Sequence, residues 1–339
     1  MKTALAACLL ALAPASRAAL DARAVFDGSR AAPGAARPGL SGEAPPLGAL
    51  TEVPPDLAAA KAAWGTQAML DRLAATPSGA GVRFAVVGDG EPGRFPWQRV
   101  FAPRDGFKSL LRLLQPRGPE LVMQLGDFVS KGVAKNYRAY LSLLVAEAKV
   151  PLFHIQGNHD RSAPNGEADK DLYRAVFGDG DYAFDRGGWR FVAFDSADYS
   201  VTEAQLDWLD AALDTDRPAL LFLHIPPVYL KGLIKSVVPE EDDKMMSGYF
   251  EGGSARFREI LARRRPKRVY MGHIHAFGTA ELDGVRYVLT AGGGSPLYPL
   301  PPGYPSYRRT HYLWVEAGAG GSLTETVHEL GGRAFPVRW

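Results

Sequence analysis

The sequence predicts an α/β protein, and three observations carry that reading. Short apolar runs recur and stop at glycine or histidine, as buried strands bounded by turns do: Val82–Val87 before Gly88-Asp89, Leu121–Leu125 before Gly126-Asp127, Leu152–Gln156 before Gly157-Asn158, Leu220–Leu223 before His224, and Arg268–Met271 before Gly272-His273. Between the first three runs, Phe107–Leu114 and Ala134–Ala148 carry helical spacing and give a βαβαβ start. Ligand-type side chains follow each run directly, and open α/β sheets bind ligands beyond the carboxyl ends of their strands.

In chain order, Lys2, the apolar stretch Ala4–Ala13 and the small-residue site near Ala18 read as a signal peptide over residues 1–18, which predicts export. Leu5-Ala6-Ala7-Cys8 resembles a lipobox, but too few residues precede Cys8 for an apolar core, so ordinary cleavage is expected, removing the only cysteine. Two of the 39 Lys and Arg residues leave with it, so 37 remain against 37 Asp and Glu. A neutral mature chain argues against general nucleic-acid or anionic-membrane binding. Residues 19–55, rich in Ala, Gly and Pro, read as a flexible leader. Asp56 to Ala75 reads as one helix with Asp56 at its N-cap and Thr76-Pro77 as its stop, packed outside a domain spanning 81–339. The composition, 46% hydrophobic and 22% charged, is that of an ordinary globular protein, expected to be monomeric.

Further along, Tyr182–Asp185 and Trp189–Phe194 form a hairpin turned by Gly187-Gly188, and Thr202 caps a helix with Leu206, Leu209 and Leu213 on its apolar stripe. Pro226 to Gly253 is too long for a simple connection and reads as a lid or a disordered loop, with Tyr229, Lys231, Lys235 and Tyr249 either facing a phosphate or simply solvated. Val285–Thr290 is a strand leading into Ala291-Gly292-Gly293-Gly294-Ser295, and Tyr298, Tyr304 and Tyr307 form an aromatic wall beyond it. His154 reads as core; His311 and His328 fall on late strands, His311 near enough to the glycines to reach the site. Arg263–Arg268 looks like a nucleic-acid patch, but a basic cluster at a helix C-terminus complements the macrodipole and is more often a solvated face.

The chemistry lies in the ordered set Gly88-Asp89, Gly126-Asp127, Gly157-Asn158-His159-Asp160, His224 and Gly272-His273-Ile274-His275. Two divalent cations roughly 3.5–4 Å apart need a carboxylate between them and neutral donors around them. Asp127 can bridge, while Asn158, His224, His273 and His275 supply neutral ligands that keep the site positive enough for an anionic phosphate. This pattern reads as a two-metal hydrolase, with Mn, Fe or Zn suited to mixed His, Asp and Asn ligation.

From Val82 to Val327 the chain resembles the calcineurin-like metallophosphoesterases. The resemblance implies an αββα sandwich of two mixed β-sheets flanked by helices, with the metal centre at the strand ends. It implies that Asp89 and His275 hold one metal, that Asn158, His224 and His273 hold the other, and that Asp127 touches both. It further implies that His159 protonates the leaving oxygen, with Asp160 orienting it, and that the substrate is a phosphate monoester or diester. Two departures stand out. Many members carry Asp-x-His at the first motif where this chain has Asp89-Gly90-Glu91, so Glu91 or water fills that place, or Glu91 turns into solvent. Ser130 stands where the purple acid phosphatase branch has a metal-binding tyrosine. Two other readings remain: a decayed, non-catalytic binding protein, against which the intact ligand set argues, and a nucleic-acid-processing phosphodiesterase, against which the neutral charge argues.

Overall fold

A computed structural model describes residues 52–91, 105–234, 248–295 and 309–339. The expected signal peptide, Cys8 and nearly all of the expected leader lie outside these residues, as do Lys235, Tyr298, Tyr304 and Tyr307. Among the described residues no helix is long and apolar enough to cross a membrane.

Two six-stranded mixed sheets form the centre. In the first, β1 (Gly81–Val87), β2 (Leu121–Gln124) and β3 (Leu152–His154) run parallel, and β10 (His311–Gly318), β11 (Leu323–Glu329) and β12 (Ala334–Pro336) extend it antiparallel from β1. In the second, β5 (Trp189–Ala193), β6 (Ala219–Leu223), β7 (Arg268–Met271) and β9 (Val285–Thr290) run parallel, with antiparallel β4 (Tyr182–Arg186) and β8 (Phe277–Leu282) at its edges. The expected sandwich is therefore the one observed. The strands of each parallel set all end on the same side, which delivers the turns after β1, β2, β3, β5, β6, β7 and β9 to one edge.

Aromatic side chains fill the space between the layers. Phe84 of β1 meets Phe191 edge-on at 5.2 Å between ring centroids, and Phe184, Phe191, Phe222 and Tyr270 stack along the facing sheet. At the edge opposite the turns the two sheets are tied by polar bonds. Arg268 of β7 pairs with Glu325 of β11, Arg186 bonds Glu120 at 2.8 Å, and the Trp189 indole donates to the Gly318 carbonyl at 3.0 Å. Arg268 and Glu325 are both buried, so each satisfies a charge the other would otherwise strand.

Helices cover the outer faces. On the second sheet lie α6 (Glu203–Ala212) and α7 (Ser254–Arg264), whose Leu206, Leu209, Phe257, Ile260 and Leu261 bury against Val192, Phe194, Leu221, Leu223 and Met271. Thr202 caps α6 in a capping box with Gln205. The basic residues ending α7 are paired: Arg263 and Arg264 bridge Asp210, and Arg264 also bridges Asp214.

The segment expected to be one helix is two, α1 (Pro55–Trp64) and α2 (Thr66–Ala74), broken at Gly65. Gly65 adopts an extended ψ of 155°, and a Cβ there would lie 2.7 Å from the Lys61 carbonyl oxygen, so only glycine makes this corner. Asp56 is not the cap, because Pro54 caps the helix two residues earlier; its carboxylate instead pairs with Arg138 of α4 (Ala134–Glu147) at 2.7 Å. Leu57, Met69, Leu70 and Leu73 are buried, so one face of the pair joins the core while its other face stays on the outside. The remaining helices are α3 (Gly106–Leu114), which joins this core through Leu110, Leu111 and Leu114, and α5 (Asp171–Val176). The turn Gly187-Gly188 has φ of 58° and 82°, as a two-residue hairpin requires.

Candidate metal centre

Three of the candidate ligands sit in the left-handed backbone region: Asp89 at φ 58°, Asp127 at 51° and His273 at 71°. This conformation is costly for residues with a Cβ and tolerated best by Asp. It stops each strand and turns the side chain across the sheet edge. The turns lean on one another: the Asp89 amide donates to the Gly126 carbonyl at 3.1 Å, and the Glu91 amide to the Asp127 carbonyl at 2.9 Å. Gly157 lets the third turn close in, since a Cβ there would lie 2.1 Å from Asp127 Oδ1.

The donor atoms converge. Asn158 Oδ1 lies 3.1 Å from His224 Nε2 and 3.0 Å from His273 Nδ1, and His224 Nε2 lies 3.2 Å from Asp127 Oδ2. The Asn158 amide nitrogen donates to the Pro164 carbonyl, which turns its oxygen inward. His224 Nδ1 donates to the Leu125 carbonyl at 2.7 Å, which fixes the tautomer and leaves Nε2 as the inward donor atom. One ligand atom from each of Asp127, His224 and His273 lies within 4.8 Å of the others. A transition-metal ion about 2.0–2.2 Å from each of its donors sets neighbouring donors roughly 3 Å apart, so these residues fit one. Asp89 and His275 lie beside each other at the same edge, with His275 Nε2 3.6 Å from Asp89 Oδ1 and the His273 amide on both Asp89 oxygens at 3.0 Å.

Electrostatics follow from packing like charges into a buried place. Burial raises the pKa of Asp89 well above the usual carboxylate range, with Asp127 and Glu91 adding to it against His224. Burial pushes Asp127 the same way, but His224, His159 and His273 outweigh it and hold its carboxyl far below that range. Burial opposes charge on His224, yet Asp127, Asp89 and the Leu125 carbonyl raise its pKa to about 9. His273, half-buried and beside His224, is lowered to about 3 by loss of solvent and the neighbouring charge. A cation taken up here would compete with protons on His224 and would relieve the repulsion around Asp89.

Glu91 is buried, only 4% exposed, and close enough to Asp89 for its charge to act there; it does not turn into solvent. Asp160 plays a different part from the one the resemblance implies. Its carboxylate does not orient the His159 ring. It accepts the amide N–H groups of Asp127, Phe128, Val129 and Gly157 at 2.7–3.2 Å. The His159 ring is held instead by the Ser130 carbonyl, 3.1 Å from Nδ1, and its amide donates to Asp127 Oδ1.

Other expectations resolve in the same way. His154 is core, stacked on Phe177 and bonded to the Tyr140 hydroxyl. His311 does not reach the ligands: its ring nitrogens face Thr290 and the Arg309 carbonyl, and it packs on Gly292. The glycines serve the Asp89 turn, where the Gly293 and Ser295 amides donate to the Gly88 and Asp89 carbonyls. Tyr229 faces away, its hydroxyl 3.2 Å from that of Tyr287; Lys231 is exposed and Tyr249 buried.

The turn after β5 holds what sequence reasoning passed over. Tyr199, at φ 60°, sets its ring edge-on to His273 with centroids 5.7 Å apart, and burial and Asp127 raise its pKa to about 12. The buried Arg161 guanidinium lies 5.9 Å from the Tyr199 ring and pairs with Asp198 at 2.9 Å; Lys170 joins Asp198 and Asp195 at 2.6 Å each. The available signal was position, because β5 lies beside β6 and ends at the same edge.

Residues 82–277 match the calcineurin-like phosphoesterase family. A Synechococcus protein named a probable cyclic nucleotide phosphodiesterase is 31% identical over 48% of this chain and 60% of its own length. A Homo sapiens serine/threonine-protein phosphatase is 24% identical over 68% of this chain and 77% of its own. Among solved structures, a purple acid phosphatase from yellow lupin (Lupinus luteus) seeds superposes with a TM-score of 0.58 at 14% identity, over 76% of this chain and 53% of that one. The chain thus spans little more than half the length of two of these relatives.

Proposed function

The chain belongs to the calcineurin-like phosphoesterase family, and from that premise we propose that it hydrolyses phosphate esters at a centre holding two divalent metal ions. The observation that carries this reading is the Asn158 oxygen between His224 and His273, with Asp127 beside them. In this reading Asn158, His224 and His273 hold one ion, Asp89, His275 and Glu91 the other, and Asp127 both. Bound cations would supply Lewis acidity toward the phosphoryl oxygens and the attacking water. The mixed nitrogen and oxygen donors suit Mn, Fe or Zn.

The chain's own residues do the rest. His159, half-buried and with Nδ1 held by Ser130, presents its other ring nitrogen as a proton donor to the leaving oxygen. Left-handed Asp89, Asp127 and His273 keep the ligands pre-set, so little reorganisation is needed when substrate arrives. The relatives' names include both a diesterase and a phosphatase, so both ester classes are candidate substrates. Export through residues 1–18 is part of the proposal; N-terminal sequencing of protein recovered outside the cytoplasm tests it.

The main experiment is metal analysis of the purified protein alongside hydrolysis of p-nitrophenyl phosphate and bis-p-nitrophenyl phosphate, before and after chelation. Activity should vanish with the metal and return with Mn²⁺. Full turnover in stripped protein sinks the mechanism.

A further inference from the structure

The turn after β5 is built to hold one side chain in place. Asp198 is fixed by two cations, Arg161 at 2.9 Å and Lys170 at 2.6 Å, and Arg161 also reaches back to the Asn158 carbonyl at 3.4 Å. On the other side, the Glu251 amide donates to the Tyr199 carbonyl and the Val201 amide to the Gly252 carbonyl. Between these anchors Tyr199 is forced to a positive φ, a conformation that concentrates at functional sites.

The side chain so held faces the metal centre. Its ring stands edge-on to His273, and Gly248 passes across both, since a Cβ there would lie 2.3 Å from His273 Nε2 and 2.9 Å from Tyr199 Cε1. The ring is half-buried, and the Arg161 guanidinium lies 5.9 Å from its centroid. Its hydroxyl makes no hydrogen bond with any described residue, although the phenol feels the charge of Asp127. A ring this tightly held with an unused donor at the rim of an anion-accepting site calls for an acceptor from outside.

We propose that Tyr199 is a substrate-contacting residue of this centre, whose phenolic hydroxyl donates a hydrogen bond to a non-bridging oxygen of the phosphoryl group. This rests on the phosphoesterase reading and adds to it a neutral donor for the phosphate beside the metals. Because phosphate itself carries such oxygens, free inorganic phosphate should use the same contact.

The test compares Tyr199→Phe and Tyr199→Ala with the wild type in metal content, in affinity of the metal-loaded protein for inorganic phosphate by calorimetry, and in kcat/KM on bis-p-nitrophenyl phosphate. Tyr199→Phe should keep the wild-type metal content, bind phosphate about tenfold more weakly and lose about tenfold in kcat/KM, as loss of one hydrogen bond predicts. Unchanged phosphate affinity and turnover in Tyr199→Phe overturns the proposal and leaves Tyr199 as packing for His273, the more so if Tyr199→Ala alone loses metal. If the metal-loaded wild type hydrolyses no ester, the hydrolase reading fails by itself; weaker phosphate binding by Tyr199→Phe would still support the contact.

Discussion

The Asp160 carboxylate is hydrogen-bonded to the Asp127 amide at 2.9 Å through Oδ2, and the same oxygen takes the Gly157 amide at 2.7 Å. One buried side chain thus joins the turn that carries the proposed bridging carboxylate to the turn that carries Asn158. Its other oxygen adds Phe128 and Val129, so the first residues past β2 are gathered around it like the N–H groups at a helix start.

Replacing Asp160 with Ala strands buried amides, each costing about 1–3 kcal/mol, and Asp160→Asn turns two acceptor positions into donors. Both variants should melt several degrees lower and lose metal, with similar relative losses on good and poor leaving groups. A normal melting temperature for Asp160→Asn would remove Asp160 from this structural role.

His159→Ala should behave in the opposite way. The half-buried ring is tied to the fold by a single hydrogen bond, to the Ser130 carbonyl, so metal content and melting temperature should stay near wild type. Turnover of alkyl phosphate esters should fall about 10²–10⁴-fold and that of p-nitrophenyl esters much less, because p-nitrophenolate leaves without a proton. Equal losses on the two would exclude the acid role.

Glu91 is buried beside Asp89, which sharpens its test. If it ligates, Glu91→Ala should lower occupancy of the Asp89–His275 half, and Glu91→His should shift metal preference from Mn²⁺ toward Zn²⁺, a nitrogen replacing a hard oxygen donor. Metal content and preference unchanged in both variants would leave Asp89, His275 and Asp127 as the protein ligands of that ion.

His154 sets an acid limit on stability. Burial lowers its pKa to about 3, below the ~6.5 of an unfolded histidine. As pH falls through 6.5 the unfolded chain takes up a proton that the folded one refuses until about pH 3, so stability is lost in that window by up to about 1.4 kcal/mol per pH unit. Denaturant titrations of metal-free protein between pH 7 and pH 4 should be less pH-dependent for His154→Phe than for wild type. Identical dependence would mean that His154 is not held neutral.

Much of the fold was readable where local chemistry and tertiary position agree. The runs ending in Gly-Asp, the Gly187-Gly188 turn and the Thr202 cap each state their geometry in neighbouring residues. Gly65 did not, because a lone glycine in a helical stretch is tolerated as often as it breaks, and here the Phe177 carbonyl, from far along the chain, takes the Thr66 amide just beyond the corner. The ligand set stood out because its residue types have few other uses after a strand. Asp160 and Tyr199 were misread or passed over for one reason: their roles depend on partners from other turns, and nothing adjacent to them records those partners.

The sandwich closes differently at its two edges. Away from the turns, Arg268–Glu325, Arg186–Glu120 and the Trp189 indole stitch the layers with the chain's own atoms. At the turn edge, Asp89, Asp127 and Asn158 hang from one layer and His224, His273 and His275 from the other. The molecule is in that sense a book bound along its spine, and an ion gripped from both covers would be its clasp. Metal uptake would then tighten the whole architecture as it equips the site, so that starvation for metal would be felt as a looser fold as well as a missing activity.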